Sequence, residues 1–233
     1  MRQKYVLEIS VESVEAALAA ERAGADRVEL CGSLSVGGIT PSAELLRAVR
    51  EQVNIPIFTM IRPRPGDFVY SAAEFADMRN EVARAKKLGM NGIVLGILDL
   101  NHGIDVARTQ ELVDLARPLP TTFHRAFDEC GDLLQTLEDV IRTGASRILT
   151  SGGAPTALDG AAMLARFVAA AQSRIVIVPA AGINASNVAE IAEKTRAREI
   201  HSGLGSTLPY GSRDYKKFEA EVRGLAQVLW PLP

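Results

Sequence analysis

Short apolar, β-branched runs alternate with longer segments of helical periodicity from one end of the chain to the other. This pattern predicts strands over residues 5–10, 26–30, 57–61, 92–95, 121–123, 147–150, 175–178 and 199–201. Helices are expected near 12–23, 41–53, 71–88, 106–116, 133–143, 157–171, 185–193 and 213–229. In the first of these, Val14, Ala17 and Leu18 keep one stripe at helical spacing, and Gly24 stops the helix. Thr40 is the expected N-cap of the second, with Pro41 at its first helical position.

The predicted strands are continuously apolar and flanked by helices, which is how a parallel sheet buried on both faces reads. Each strand–helix unit averages roughly 29 residues, and eight such units close a barrel. A doubly wound open sheet is the alternative, but its first strand runs into a Gly-x-Gly turn, and residues 8–12 contain no glycine. The expected fold is therefore α/β, a (β/α)8 TIM-type barrel. No linker or composition shift divides residues 1–233, so one domain is expected.

The composition narrows the class. With 47% hydrophobic and 23% charged residues the chain reads as globular. Its 26 basic and 28 acidic residues leave a formal charge of −2 without a basic run, which argues against nucleic acid or an anionic membrane as partner. A small molecule or a protein is the expected partner. The first ten residues lack the basic start and apolar block of a secretory signal, and no stretch approaches the roughly 18 apolar residues of a membrane span. Cys31 and Cys130 are too few for a disulfide scaffold, so a reducing, cytoplasmic location is expected. The tail 229–233, with Trp230, is a candidate contact for a homodimer.

In a barrel of this kind the reactive rim is built from the C-terminal ends of the strands. There the sequence places Glu8, Glu29 and Cys31, then Arg62 and Arg64, Asp99, then His124, Arg125 and Asp128, and finally His201 and Ser202. Ser151, Gly152 and Gly153 follow strand six; Gly182 and Asn184 follow strand seven. Glu8 and Glu29 stand out, because a carboxylate inside a short apolar run is costly to desolvate unless paired or bound to a cation. Arg62, Arg125, His124 and His201 are the expected compensating groups.

Three readings follow. An ion-pair layer closing the barrel mouth is the structural one. An enzyme is the second: Glu8, Glu29, His124 and His201 as acid–base groups, with Arg62, Arg125 and Asp128 at a small anionic ligand. Ser151, Gly152, Gly153, Gly182 and Ser202 would then offer polar groups to its phosphate or carboxylate. This is the chemistry of a lyase, isomerase or hydrolase. A metal protein is the third, with Glu8, Glu29, His124 and His201 around a divalent ion, or the thiols around copper(I). The pairs Gly37-Gly38 and Gly152-Gly153 also suit tight turns that need positive φ, and His102 is expected in a solvated loop.

Several blocks carry a family resemblance: GADRVELC at 24–31, GGITPS at 37–42, IRPR at 61–64 with GDF at 66–68, TFHRAFD at 122–128, LTSGG at 149–153 and EIHS at 199–202. In this order, over nearly the whole chain, they resemble the CutC copper-homeostasis family. The resemblance implies a TIM-type barrel, a cytoplasmic location, a role in copper homeostasis and copper(I) binding by cysteine. In the family pattern a cysteine after the first-strand Leu-Glu pairs with the cysteine that ends strand two. Here the first position is Ser10, so Cys31 alone carries over, and Cys130 is the candidate second ligand.

Overall fold

The computed structural model describes residues 5–205 and 208–232. Eight parallel strands, β1 (Val6–Val11), β2 (Arg27–Leu30), β3 (Ile57–Met60), β4 (Gly92–Leu95), β5 (Thr121–Phe123), β6 (Arg147–Thr150), β7 (Val176–Pro179) and β8 (Glu199–Ser202), alternate with helices. These are α1 (Val14–Ala23), α2 (Ala43–Gln52), α3 (Ala72–Lys87), α4 (Val106–Ala116), α5 (Leu133–Arg142), α6 (Ala161–Ala171), α7 (Val188–Thr195) and α8 (Tyr215–Leu229). The ladder order β7-β6-β5-β4-β3-β2-β1-β8 wraps the sheet into a nearly closed barrel of the TIM type. Ser202, at the end of β8, donates its hydroxyl to the Ile183 carbonyl just beyond β7, at 2.7 Å across the seam.

Side chains alternate across each strand and sort into two cores. Leu7, Ile9, Val11, Val28 and Leu30 join the large apolar shell between strands and helices. The barrel interior holds two smaller apolar clusters, Cys31 with Phe58, Met60 and Val94, and Leu149 with Val178 and Ala180. Charged residues of β1, β2, β6 and β8 share that interior. Gly92 makes room in it: a Cβ there would lie 2.6 Å from the Phe58 ring.

Helix α2 takes a different cap from the one expected, and helices α6 and α7 begin four and three residues later than expected. Helix α2 is capped by Ser42, which accepts the Leu45 N–H, while the Thr40 hydroxyl accepts the N–H of Arg62 instead. Helix α6 begins at Ala161 because 155–160 forms turns packed on the loop after β6, where a Cβ on Gly160 would lie 1.9 Å from the Ser151 carbonyl oxygen. Helix α7 begins at Val188, after Asn184 and Asn187 have bonded the turn before it. Trp230 packs against Gly24 of its own chain and remains 53% exposed. Among the described residues no helix is long and apolar enough to cross a membrane.

Candidate active site

The floor of the barrel is an ion-pair layer. Arg27, the first residue of β2, bonds Glu8 through Nε and Glu199 through Nη2 at 2.7 Å; Arg147, the first residue of β6, bonds Glu199 at 3.1 Å. Both guanidinium groups lie over the Phe58 ring, at 4.6 and 4.9 Å from its centroid. An ion-pair layer is thus present, but it lies toward the N-terminal ends of the strands and not at the mouth, where it was expected. Glu8 takes its compensation from Arg27 and His201; Arg62 and Arg125, expected as partners, make none of its ion pairs.

A hydrogen-bonded chain rises from this floor. Glu8 Oε1 lies 2.7 Å from His201 Nδ1, and His201 Nε2 lies 2.9 Å from Ser10 Oγ. The Ser10 hydroxyl donates to Glu29 Oε2 at 2.8 Å. Parallel register explains the meeting: Glu8 stands beside His201 and Ser10 beside Glu29 in adjacent ladders. Burial alone would raise the Glu8 carboxyl, but Arg27 and His201 outweigh it and hold it at about 2. Burial raises Glu29, with a further push from Glu8 and against the pull of His201. Burial disfavours a charged His201, but Glu29 and Glu8 outweigh it and raise its pKa.

Above the chain opens a cavity of about 610 Å³, whose walls include Ser10, Glu29, Arg62, Phe68, His124 and His201. Arg62 is buried, and no carboxylate pairs with it among the described residues. Its Nη1 donates to the carbonyls of Val36 and Gly38 at 3.1 Å each, and its Nη2 to that of Gly66 at 2.8 Å. Phe68 lies between Arg62 and His124, with its ring centroid 4.7 Å from the guanidinium and 4.8 Å from the imidazole. Burial, reinforced by Arg62, pushes His124 down to about 3, so the ring is neutral at physiological pH. Gly96 makes room for it: a Cβ there would lie 2.4 Å from the imidazole.

Three residues on these walls each carry a buried polar atom without a partner among the described residues: Glu29 Oε1, Arg62 Nε and His124 Nε2. Native interiors leave few such atoms, and each calls for an explanation. A second cavity of about 510 Å³ lies on the other side of Ser10, toward α8, and of the groups above it reaches Ser10 alone.

The loop after β6 departs from expectation. The N–H groups of Ser151 and Gly153 donate to the Asp128 carboxylate at 3.0 Å each, and that of Gly152 to the Thr150 hydroxyl at 2.9 Å. Asp128 therefore occupies the position where these amides were expected to hold a phosphate or carboxylate. Gly37, Gly38, Gly152 and Gly153 all adopt positive φ, as turn glycines would. Arg125 bonds Asp128 and Ser151 at 2.9 and 3.0 Å, and lines the cavity with its side chain 45% exposed. Gly182 and Ser202 also line the cavity. Asp99 bonds the N–H groups of Asn101 and Gly103 within its own turn, Arg64 bonds Asp67 and Glu74 near the start of α3, and His102 is exposed; none lines the cavity.

The two thiols do not meet. Cys31 packs inside the barrel with Phe58, Met60 and Val94 and donates to Glu29 Oε2 at 3.6 Å, whereas Cys130 packs in the outer shell and donates to the Ala126 carbonyl at 3.8 Å. Burial raises both, Cys130 to about 11, so both are protonated thiols. A linear copper(I) site needs two soft ligands, and this pair does not supply them. The trio Glu8, Glu29 and His201 brings ligand atoms within 4.8 Å of one another, without His124. Within it Glu8 is already paired with both Arg27 and His201, which satisfies its charge without a metal ion.

Comparison with known proteins agrees with this architecture. The CutC family model matches residues 5–206. The chain belongs to the CutC family. A CutC family protein from Xanthomonas campestris pv. campestris (strain B100) is 43% identical over 235 residues, covering 96% of this chain and 98% of its own. The copper homeostasis protein cutC homolog of Homo sapiens is 44% identical over 209 residues, covering 90% and 77%. Among solved structures, CutC from Streptococcus agalactiae superposes with a TM-score of 0.81 at 31% identity, covering 85% of this chain and 98% of that one. A phosphoribosylanthranilate isomerase from Thermotoga maritima, at 13% identity and a TM-score of 0.64, shares the barrel fold.

Rim positions alone do not reveal Arg27, Arg147, Glu199 or Ser10. The alternation Arg27-x-Glu29-x-Cys31 does carry a signal, since residues two apart on a strand face the same side.

Proposed function

We propose that the mouth of this CutC barrel is the active site of an acid–base enzyme, an isomerase or lyase that moves a proton beside a carbonyl group of a small anionic metabolite. The observation that carries the reading is that three residues lining one cavity, Glu29, His124 and Arg62, each hold a buried polar atom without a partner among the described residues. Burial raises the Glu29 carboxyl above the ordinary carboxylate range, the direction that suits a general acid or base. A neutral imidazole N–H and a guanidinium N–H donate to the oxygen on which negative charge develops when the neighbouring carbon loses its proton. Arg62, with backbone carbonyls for partners and no carboxylate, favours a ligand that brings its own negative charge. Both thiols are free and buried, which suits a reducing compartment such as the cytoplasm.

The test is exchange of carbon-bound hydrogen. The full chain is incubated in deuterated buffer with small hydroxy acids, keto acids and sugar phosphates, and loss of C–H signal is followed by proton NMR. Exchange with at least one compound, abolished by Glu29→Gln and lowered about 100-fold or more by His124→Ala, supports the reading. No exchange with any compound, together with a gain of thermal stability in both variants, assigns these groups to packing and ends it.

Copper binding is the second reading. It rests on the human relative's name and on the Cys31 thiol beside Glu29. It is the weaker account of the cavity, because Cys31 lacks a second thiol and the unpartnered groups are nitrogen and oxygen donors.

A further inference from the structure

We infer that the Ser10 hydroxyl is a bridge through which Glu29 and His201 exchange a proton, so that the two work as one acid–base unit. The inference rests on the reading above, in which Glu29 is the member that meets substrate. Glu29 and His201 do not bond directly: Glu29 Oε2 and His201 Nε2 are 3.8 Å apart, beyond hydrogen-bond range. Ser10 Oγ lies 2.8 Å from the first and 2.9 Å from the second. All three groups are buried, and all three line the cavity.

A serine hydroxyl has one proton to give and lone pairs to accept with, so two bonds on opposite sides impose a direction. In one arrangement His201 carries protons on both ring nitrogens; Nε2–H donates to Ser10, and Ser10 donates to the Glu29 carboxylate. In the other, the Nε2–H bond breaks and its proton joins Ser10 Oγ, while the original Ser10 proton leaves for Glu29 Oε2. Glu29 is then a neutral acid donating to Ser10, and Ser10 donates to a neutral His201. No atom or charge is lost between the two, and both hydrogen bonds of Ser10 survive with their directions reversed.

Neighbouring charges keep both arrangements within reach. Glu8, held anionic by Arg27, accepts from His201 Nδ1 in either one and fixes the ring's orientation. Glu29 also faces the Cys31 thiol on its own strand and, among the cavity walls, Arg62 and His124. Glu199 bonds both Arg27 and Arg147 and completes the charge layer beneath, without a bond to the bridge. His201 pulls Glu29 down against its burial and Glu29 pulls His201 up against its own, so the protonation of each group depends on that of the other. During turnover a pair that has given up the shared proton could take one from substrate at Glu29 and hold it on His201, and the reverse transfer would return it, without opening the cavity to water. Ser10 is in this sense a positioning residue, acting through Glu29.

The experiment is NMR titration of the full chain labelled with 15N-histidine and 13C-glutamate, with His201 identified among the three histidines by His201→Gln. In the wild type the Glu29 carboxyl and His201 Nε2 are expected to respond in the same pH step. Ser10→Thr, which keeps a hydroxyl, preserves the shared step. Ser10→Ala replaces it by two steps about one pH unit or more apart. Overlaying wild-type and Ser10→Ala curves overturn the inference, as do two unlinked steps in the wild type, a result that needs no variant to fold. Because no substrate is present, loss of the shared step with C–H exchange intact sinks the bridge alone. Absent C–H exchange with the shared step intact sinks the enzyme reading alone.

Discussion

His124 Nδ1 accepts the backbone N–H of Ala126 at 3.2 Å, which places the imidazole proton on Nε2. Ala126 belongs to the one-turn 3-10 helix Arg125–Glu129 that follows β5, so a backbone amide at the start of that turn selects the tautomer. The ring is therefore a neutral donor.

Burying a neutral histidine carries a cost in acid. The folded value of about 3 lies below the ordinary 6.5, so the unfolded chain binds more protons between them. Stability is complete above about pH 6.5 and falls as pH drops toward 3, by up to about 5 kcal/mol from this group. Chemical denaturation at a series of pH values should show His124→Gln losing less stability than the wild type across that window. A further loss below pH 4.5, from protonation of Glu8 toward its value of about 2, is expected in both proteins.

Arg27 is the counter-charge for two buried or half-buried carboxylates. Arg27→Met leaves Glu8 without its guanidinium and is expected to cost about 3–5 kcal/mol in urea unfolding. Adding Glu8→Gln to that variant should recover part of the loss, because the uncompensated charge is then gone. Full additivity of the two changes would contradict the pairing.

Asp128 holds the turn after β6 by accepting the N–H groups of Ser151 and Gly153. Asp128→Ala should lower stability by about 1–3 kcal/mol through these unpaired donors. Hydrogen exchange at Ser151 and Gly153 should accelerate while amides of β1 and β2 keep their protection. Uniform acceleration would mean that Asp128 supports the barrel as a whole.

The separation of the thiols has a direct readout. Anaerobic copper(I) titration against a competing chelator should give the same affinity for the wild type and Cys130→Ser, since Cys130 lies outside the barrel interior. A large loss of affinity in Cys130→Ser would mean that the two thiols come together in solution.

Much of the site could be read from strand ends. Glu29, His124, His201 and Arg62 were expected at one opening, and all line the cavity. Glu8 was expected beside them and lies lower, under His201, because it sits two positions before Ser10 on the same face of β1. Ser10 stood out only by its difference from a family cysteine, and no local feature marks it as a bridge. Asp128 was expected to meet a ligand but meets the protein's own amides, an outcome that depends on a loop 23 to 25 residues further along the chain.

The alternation of apolar runs and helical stripes by itself determined the barrel, because strands buried on both faces and separated by amphipathic helices have few other ways to exclude water. Period-two alternation also determined that Arg27, Glu29 and Cys31 share the inner face. Only the tertiary structure decided who meets whom there. Ladder register sets Ser10 beside Glu29 and Glu8 beside His201, and residues 19 and 193 positions apart become partners through the closing of the ring, which no local pattern encodes.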